Sequence, residues 1–249
     1  MRAAALVLVS LALVAGGFVF LSRLPALRIA EVRVEGVAEP FTGEIAARAR
    51  AELSGAYGFL VPKSNSFLYP REALAAAILD AFPRLASAKL ERDGLTALTI
   101  RVAPRTAAAL WCGGPSSHCY AIDHSGVIYE EVPPEENSAL LVIRGGRGAA
   151  EPVGGSLLTP ERFRELLSFA LYLKDRGLAA DALAITPEGD YRFGLSGGAE
   201  LRLAGTQAFG IVRENFEAVL SSDDFKKKSL AGLEYIDLRF GNKIYYREK

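Results

Sequence analysis

From residue 3 to residue 21 the chain is apolar except for a single hydroxyl, Ser10. At ~1.5 Å per residue, a helix of this length matches the ~30 Å hydrocarbon core of a bilayer. Arg2 precedes the run, and Arg23 and Arg28 follow it. These residues predict one membrane-spanning helix over 3–22, preceded by a cytoplasmic stub of residues 1–2. The rival reading is a cleaved signal peptide, because Leu13-Val14-Ala15 has the form of a cleavage site. Against it, the run continues through Phe18, Val19, Phe20 and Leu21, and Gly16-Gly17 is followed by no polar mature start. The flanking arginines nearly balance, so charge does not orient the helix.

Cys112 and Cys119 bear on orientation. They are the only cysteines, and Gly113-Gly114-Pro115-Ser116-Ser117 between them reads as a turn. Two strands joined by such a turn bring the sulfurs together, and the closed loop is worth ~2.5 kcal/mol in the chain-entropy account. Disulfides persist outside the cytoplasm, so the body of the chain is expected there. The alternative is a zinc site completed by His118 and His124. Its spacing fits no common finger, and neighbours such as His118 and Cys119 point apart on a strand.

The rest of the chain alternates between the two periodicities. Ala30, Val32 and Val34 alternate with Glu31, Arg33 and Glu35 as a half-buried strand ended by Gly36. Thr42 reads as the N-cap of a helix on Ile45, Ala49 and Leu53. Pro70 opens a second helix on Leu74, Ala77, Ile78 and Ala81, stopped by Pro83. Two strands follow, over 86–91 and 98–102, turned at Asp93-Gly94. This gives a β-α-α-β-β unit over residues 28–104.

Residues 105–249 read as a mixed α/β domain with an antiparallel sheet and two amphipathic helices. Strands are expected at 120–122, 127–129, 140–143, 183–185, 191–195, 200–203, 235–239 and 243–247, with Asp123 and Gly126 as turn residues. Thr159-Pro160 starts one helix, with Phe163, Leu166, Leu167, Ala170 and Leu171 inward and Gly177 as its C-cap. Thr206 is read as the cap of the other, whose core face is Phe209, Val212, Phe216 and Val219.

Equal numbers of basic and acidic side chains, 29 each, argue against nucleic acid as a main partner. Lys226-Lys227-Lys228 reads as a solvated loop. Gly194-Leu195-Ser196-Gly197-Gly198 satisfies a serine-hydrolase pattern. However, no histidine follows the serine, and the sequence after it alternates as a strand rather than opening a helix. A glycine-rich hairpin turn is the plainer reading. Glu130, Glu131, Glu135 and Glu136 read as a solvated Pro-rich loop. No phosphate loop, dinucleotide fingerprint or zincin motif occurs. The residues therefore imply no catalysis, cofactor, metal or small-molecule substrate.

In order, Val32-Arg33-Val34-Glu35-Gly36, Phe82-Pro83, the segment from Ile100 to Ala108, Tyr120-Ala121-Ile122-Asp123 with Gly126, and Tyr235-Ile236-Asp237-Leu238-Arg239-Phe240 resemble the FtsQ/DivIB family of cell-division proteins. The chain departs from the family's pattern at Ala103-Pro104-Arg105, where a glutamate-arginine pair is usual, and at Phe240, where tyrosine is usual. The cysteine pair is not a general family feature. The resemblance implies an α+β chain with a transmembrane helix, a POTRA-like domain (28–104) and a family-type β domain (105–249). It further implies a single-pass protein of the inner (plasma) membrane at the division septum, scaffolding FtsB/FtsL-type coiled-coil partners. The terminal hairpin is the expected partner edge, with Arg239, Phe240, Asn242, Ile244 and Tyr246 as contact residues. The competing readings are another anchored POTRA adaptor, in secretion or envelope assembly, and an anchored hydrolase using Ser196.

Overall fold

The structure, a computed structural model, describes residues 2–113, 119–133, 140–146, 148, 151–222, 225, 230–241 and 243–249. His118, Glu135, Glu136, Asn242 and the basic run at 226–228 lie outside them. The chain is mixed α+β and divides into two compact units, Met1–Arg105 and Thr106–Lys249.

The apolar run forms α1 (Arg2–Ser22), one helix long and apolar enough to cross a membrane. Its side chains are apolar all round, and almost none of its surface is covered by the rest of the chain. After it come β1 (Glu31–Glu35), α2 (Phe41–Glu52), a hairpin of β2 (Ala56–Tyr57) and β3 (Val61–Pro62), α3 (Arg71–Ala81), β4 (Leu85–Asp93) and β5 (Ala97–Pro104). The sheet order is β1-β5-β4, with β1 parallel and β4 antiparallel to β5. One face buries Val32, Leu90, Leu98 and Ile100 against Ile45, Ala49, Leu74 and Ile78 of the two helices. The other face carries a charge lattice in which Arg33 pairs with Glu31 and Asp93, and Arg101 with Glu35 and Glu91. Such exposed pairs add little stability each but keep the face soluble. Gly36 is required where it stands. Its φ is +106°, and a Cβ there would lie 1.9 Å from the Val102 carbonyl oxygen.

The second unit is built on β6 (Ala107–Trp111), β7 (Cys119–Asp123), β8 (Ile128–Val132), β9 (Leu141–Gly145), α4 (Pro160–Asp175), β10 (Ala180–Ile185), β11 (Tyr191–Leu195), β12 (Glu200–Leu203), α5 (Phe209–Ser221), β13 (Leu233–Phe240) and β14 (Lys243–Glu248). Its nine strands form one sheet in the order β14-β13-β12-β11-β10-β9-β6-β7-β8. The expected antiparallel sheet is instead mixed, with β6–β9, β9–β10 and β12–β13 parallel. The physical reason lies in the connections. A helix inserted between two neighbouring strands carries the chain back to the starting edge, and α4 and α5 occupy such crossovers. Both helices cover one face, where Phe163, Leu166, Phe169, Val212 and Phe216 meet Trp111, Ile143, Phe193, Leu201 and Ile236. The opposite face of β6–β8 holds a smaller cluster of Leu110, Cys119, Ala121, Tyr129 and Val132.

Several local expectations need correction. Thr42 lies inside the first turn of α2 rather than capping it, and α5 starts from Ala208 rather than Thr206. Leu171 is exposed on α4, while Phe169, Tyr172 and Leu173 take the core positions. Glu130 and Glu131 belong to β8 rather than to a loop. By contrast, Thr159 caps α4, accepting from the Arg162 N–H at 3.3 Å.

Candidate partner-binding edge

The terminal hairpin is set by its own alternation. In β13, Leu233, Ile236 and Leu238 go into the helix-covered core, and the strand turns at Gly241, whose φ is +66°. β14 returns antiparallel, with Ile236 opposite Tyr246 and Asp237 opposite Tyr245. Because β14 ends the nine-strand order, its outer side has no strand beside it among the described residues. Every β14 side chain is exposed except Ile244, which is partly buried against the helix-side core.

The expected contact residues fall in distinct places. Phe240 is 53 % exposed and meets Tyr245 edge-on at 5.2 Å between ring centroids. Tyr246 points the other way, edge-on to Phe225 at 5.0 Å. Phe240 and Tyr245 therefore form an exposed pair at the edge, while Tyr246 is exposed but leans on Phe225, which is partly buried against the helix-side core. Arg239 is turned inward to carboxylates. Its guanidinium donates to Asp237 at 2.7 Å and to Asp190 at 3.0 Å. Asn242 lies outside the described residues.

Asp237 is almost fully buried, and it accepts from the Arg239 backbone N–H as well as from the guanidinium. Burial alone would push this carboxyl up. The Arg239 hydrogen bonds and the charges of Arg239 and Arg202 outweigh that, and hold it below the usual carboxylate range. The same bonds hold the Arg239 guanidinium firmly in its charged form. Helix α5 adds two ties to the hairpin and its approach. Asn215 donates to the Gly241 carbonyl at 2.9 Å, and Gln207, just before the helix, donates to the Leu238 carbonyl at 3.0 Å. β13 and the turn at Gly241 are thus tied to α5, its approach and Asp190 by side-chain hydrogen bonds and an ion pair.

A second organising side chain had no signal in the sequence. Arg162 on α4 donates to the carbonyls of Gly205 and Gln207, both at 2.8 Å, and lies 4.4 Å from the Phe209 ring centroid. A helical arginine near a cap reads from sequence as solvated, and only the fold brings the β12–α5 loop to it.

The other candidate groups are also placed. Cys112 and Cys119 form a disulfide joining the ends of β6 and β7. That bond removes both thiolates from metal ligation. Ser196 sits in the β11–β12 turn, where its backbone N–H donates to the Ala179 carbonyl at 2.7 Å. A strand follows it, as a hairpin turn requires and a nucleophile elbow does not. Asp123 Oδ1 accepts from the Ser125 and Val127 N–H groups at 2.9 and 3.0 Å, the geometry of a turn-building aspartate. No protein-family model matches this chain, and no curated protein matches it.

Proposed function

We propose that this chain is a non-enzymatic, single-pass membrane scaffold of the FtsQ/DivIB type, which holds its partner by strand addition along β14. The observation that carries the reading is the position of β14. It is the open end of a nine-strand sheet, with exposed aromatics on both faces and a mix of β-formers and charges along its length. A free edge offers a full row of backbone donors and acceptors, and natural proteins seldom leave one so long without a use or a guard. Strand addition supplies register through the backbone, while pockets and aromatics supply choice.

The rest of the chain fits the same role. The uncovered apolar helix α1 serves as the anchor. The β1-α2-α3-β4-β5 order, with β5 central, suits a POTRA-like adaptor module. The Cys112–Cys119 disulfide favours an extracytoplasmic body. The partner class is a small bitopic coiled-coil protein of the FtsB/FtsL kind, and the site of action is the septum.

Genetic depletion with complementation tests the role. Cells lacking the chain are expected to filament without septa, and wild-type protein restores division. A Ser196→Ala variant restores it equally well. Normal septation after depletion would favour an anchored adaptor in secretion or envelope assembly.

A further inference from the structure

The hairpin of β2 and β3 is bound to the exit of α1. The Arg23 guanidinium donates to the carbonyls of Phe59 and Leu60 at 2.8 and 2.9 Å. Asn65 donates to the Ser22 carbonyl at 3.0 Å, and the backbone N–H groups of Ile29 and Ser66 donate to Ser64 and Leu27. These bonds hold the tip level with the last turn of the apolar helix. The tip itself is exposed and apolar: Phe59 is 93 % exposed and Leu60 is 54 %. Phe59 has φ of 64°, a left-handed backbone that a bulky aromatic rarely adopts. A soluble surface has no use for a strained aromatic thrust into water.

The chemistry of the segment selects a lipid surface. Residues 22–30 and 54–69 contain no acidic side chain, while Arg23, Arg28 and Lys63 are cationic. The carbonyls of Phe59 and Leu60 are already satisfied by Arg23, the Leu60 N–H donates to Tyr57 at 3.0 Å, and the Lys63 N–H to Gly55 at 3.1 Å. Little unpaired backbone would have to enter the acyl boundary, which removes the main cost of insertion. Apolar tips with flanking cations are the features of an interfacial contact.

We propose that Phe59 and Leu60 insert into the headgroup–acyl boundary of the bilayer that α1 crosses, giving the first unit a second membrane contact. The proposal rests on α1 being a membrane anchor. A lone helix leaves itself and the unit bonded to its exit free to tilt together in the bilayer, whereas two points of contact restrict that tilt.

The test uses the full chain, whose two cysteines are bonded to each other, so a single introduced cysteine takes a nitroxide label selectively. Labels are placed at Leu13→Cys, Phe59→Cys, Leu60→Cys and Ala38→Cys, the last exposed beyond the far end of β1. The protein is reconstituted in vesicles of phosphatidylethanolamine and phosphatidylglycerol. Spin-label collision with oxygen is compared with collision with a nickel chelate. The expected oxygen-to-nickel ratio is high at 13, several-fold above the Ala38 value at 59 and 60, and low at 38. A high ratio at 13 with aqueous values at 59 and 60 overturns the insertion while leaving the anchor intact. That is also the result if the hairpin serves a protein partner instead. An aqueous value at 13 overturns the anchor reading and the insertion with it.

Discussion

Replacing Cys112 and Cys119 with alanine opens a loop whose ends are seven residues apart. For a loop of that size the chain-entropy account assigns ~2.5 kcal/mol to the closed form. Cys119 is 1 % exposed among Leu110, Ala121, Tyr129 and Val132, so losing its sulfur adds roughly 1 kcal/mol of lost packing. The sum is about 3.5 kcal/mol, and at about 3 °C per kcal/mol for a unit of this size the midpoint falls by roughly 10 °C. The chain supplies its own probe. Trp111 is the sole tryptophan, lies beside Cys112, is buried, and donates from Nε1 to the Gly145 carbonyl at 2.9 Å. Its fluorescence during heating reports the second unit and is silent on the first. Chemical reduction of the wild type separates the two contributions, because it opens the loop without removing sulfur and should lower the midpoint by about 7 °C. An unchanged midpoint on reduction would refute the entropic reasoning. Two free thiols in the unreduced protein would refute the bond itself.

Gly36→Ala forces a Cβ to within 1.9 Å of the Val102 oxygen at a left-handed φ. It should cost the first unit about 3 kcal/mol or more. In far-UV circular dichroism this appears as an earlier unfolding step, while the Trp111 transition, which belongs to the other core, keeps its midpoint. Asp237→Asn breaks the strongest link of the Arg239 pair at a buried site and should lower stability at neutral pH by about 1–3 kcal/mol. The folded carboxyl sits below its ordinary value, so its contribution is present above the unfolded value and is lost as pH falls through the folded one. The variant should therefore show a flatter acid limb in chemical denaturation, and an acid limb as steep as the wild type's would contradict the assignment. Thr159→Ala removes the side-chain cap that accepts from the Arg162 N–H in the first turn of α4 and should cost about 1 kcal/mol by urea unfolding.

The sequence was most readable where one residue type has one physical use. Alternation located β1, β5, β11 and β12, the Asp123 and Gly126 pair located a turn, and Thr159-Pro160 located the start of α4. Thr42 and Thr206 lie near helix starts without capping them, because a threonine there signals only the neighbourhood of a cap. Leu171 is exposed because the core face of α4 is centred on Leu166, Phe169 and Leu173, and at ~100° per residue Leu171 falls nearly opposite it, although local apolar spacing includes it. The parallel strand pairs were not legible, since strand order depends on which edge a crossover returns to and leaves no trace in local periodicity. The β2–β3 hairpin, two residues per strand, is too short to have a period at all. At the candidate edge, the exposure of Phe240 and the outward position of β14 followed from a terminal strand rich in β-formers. The inward turn of Arg239 toward Asp190 depends on residues far apart in sequence.

Adjacent residues of an antiparallel strand direct their N–H groups to opposite sides, so one of Tyr245 and Tyr246 donates to β13 and the other to the open edge. Tyr245→Pro and Tyr246→Pro, each made in the full chain, remove one of these donors apiece. Co-purification of the proposed small coiled-coil membrane partner is measured for both, with circular dichroism on the same samples. Strand addition at β14 predicts that the variant lacking the outward donor stays folded and loses the partner. Two folded variants that both retain wild-type partner recovery would contradict it.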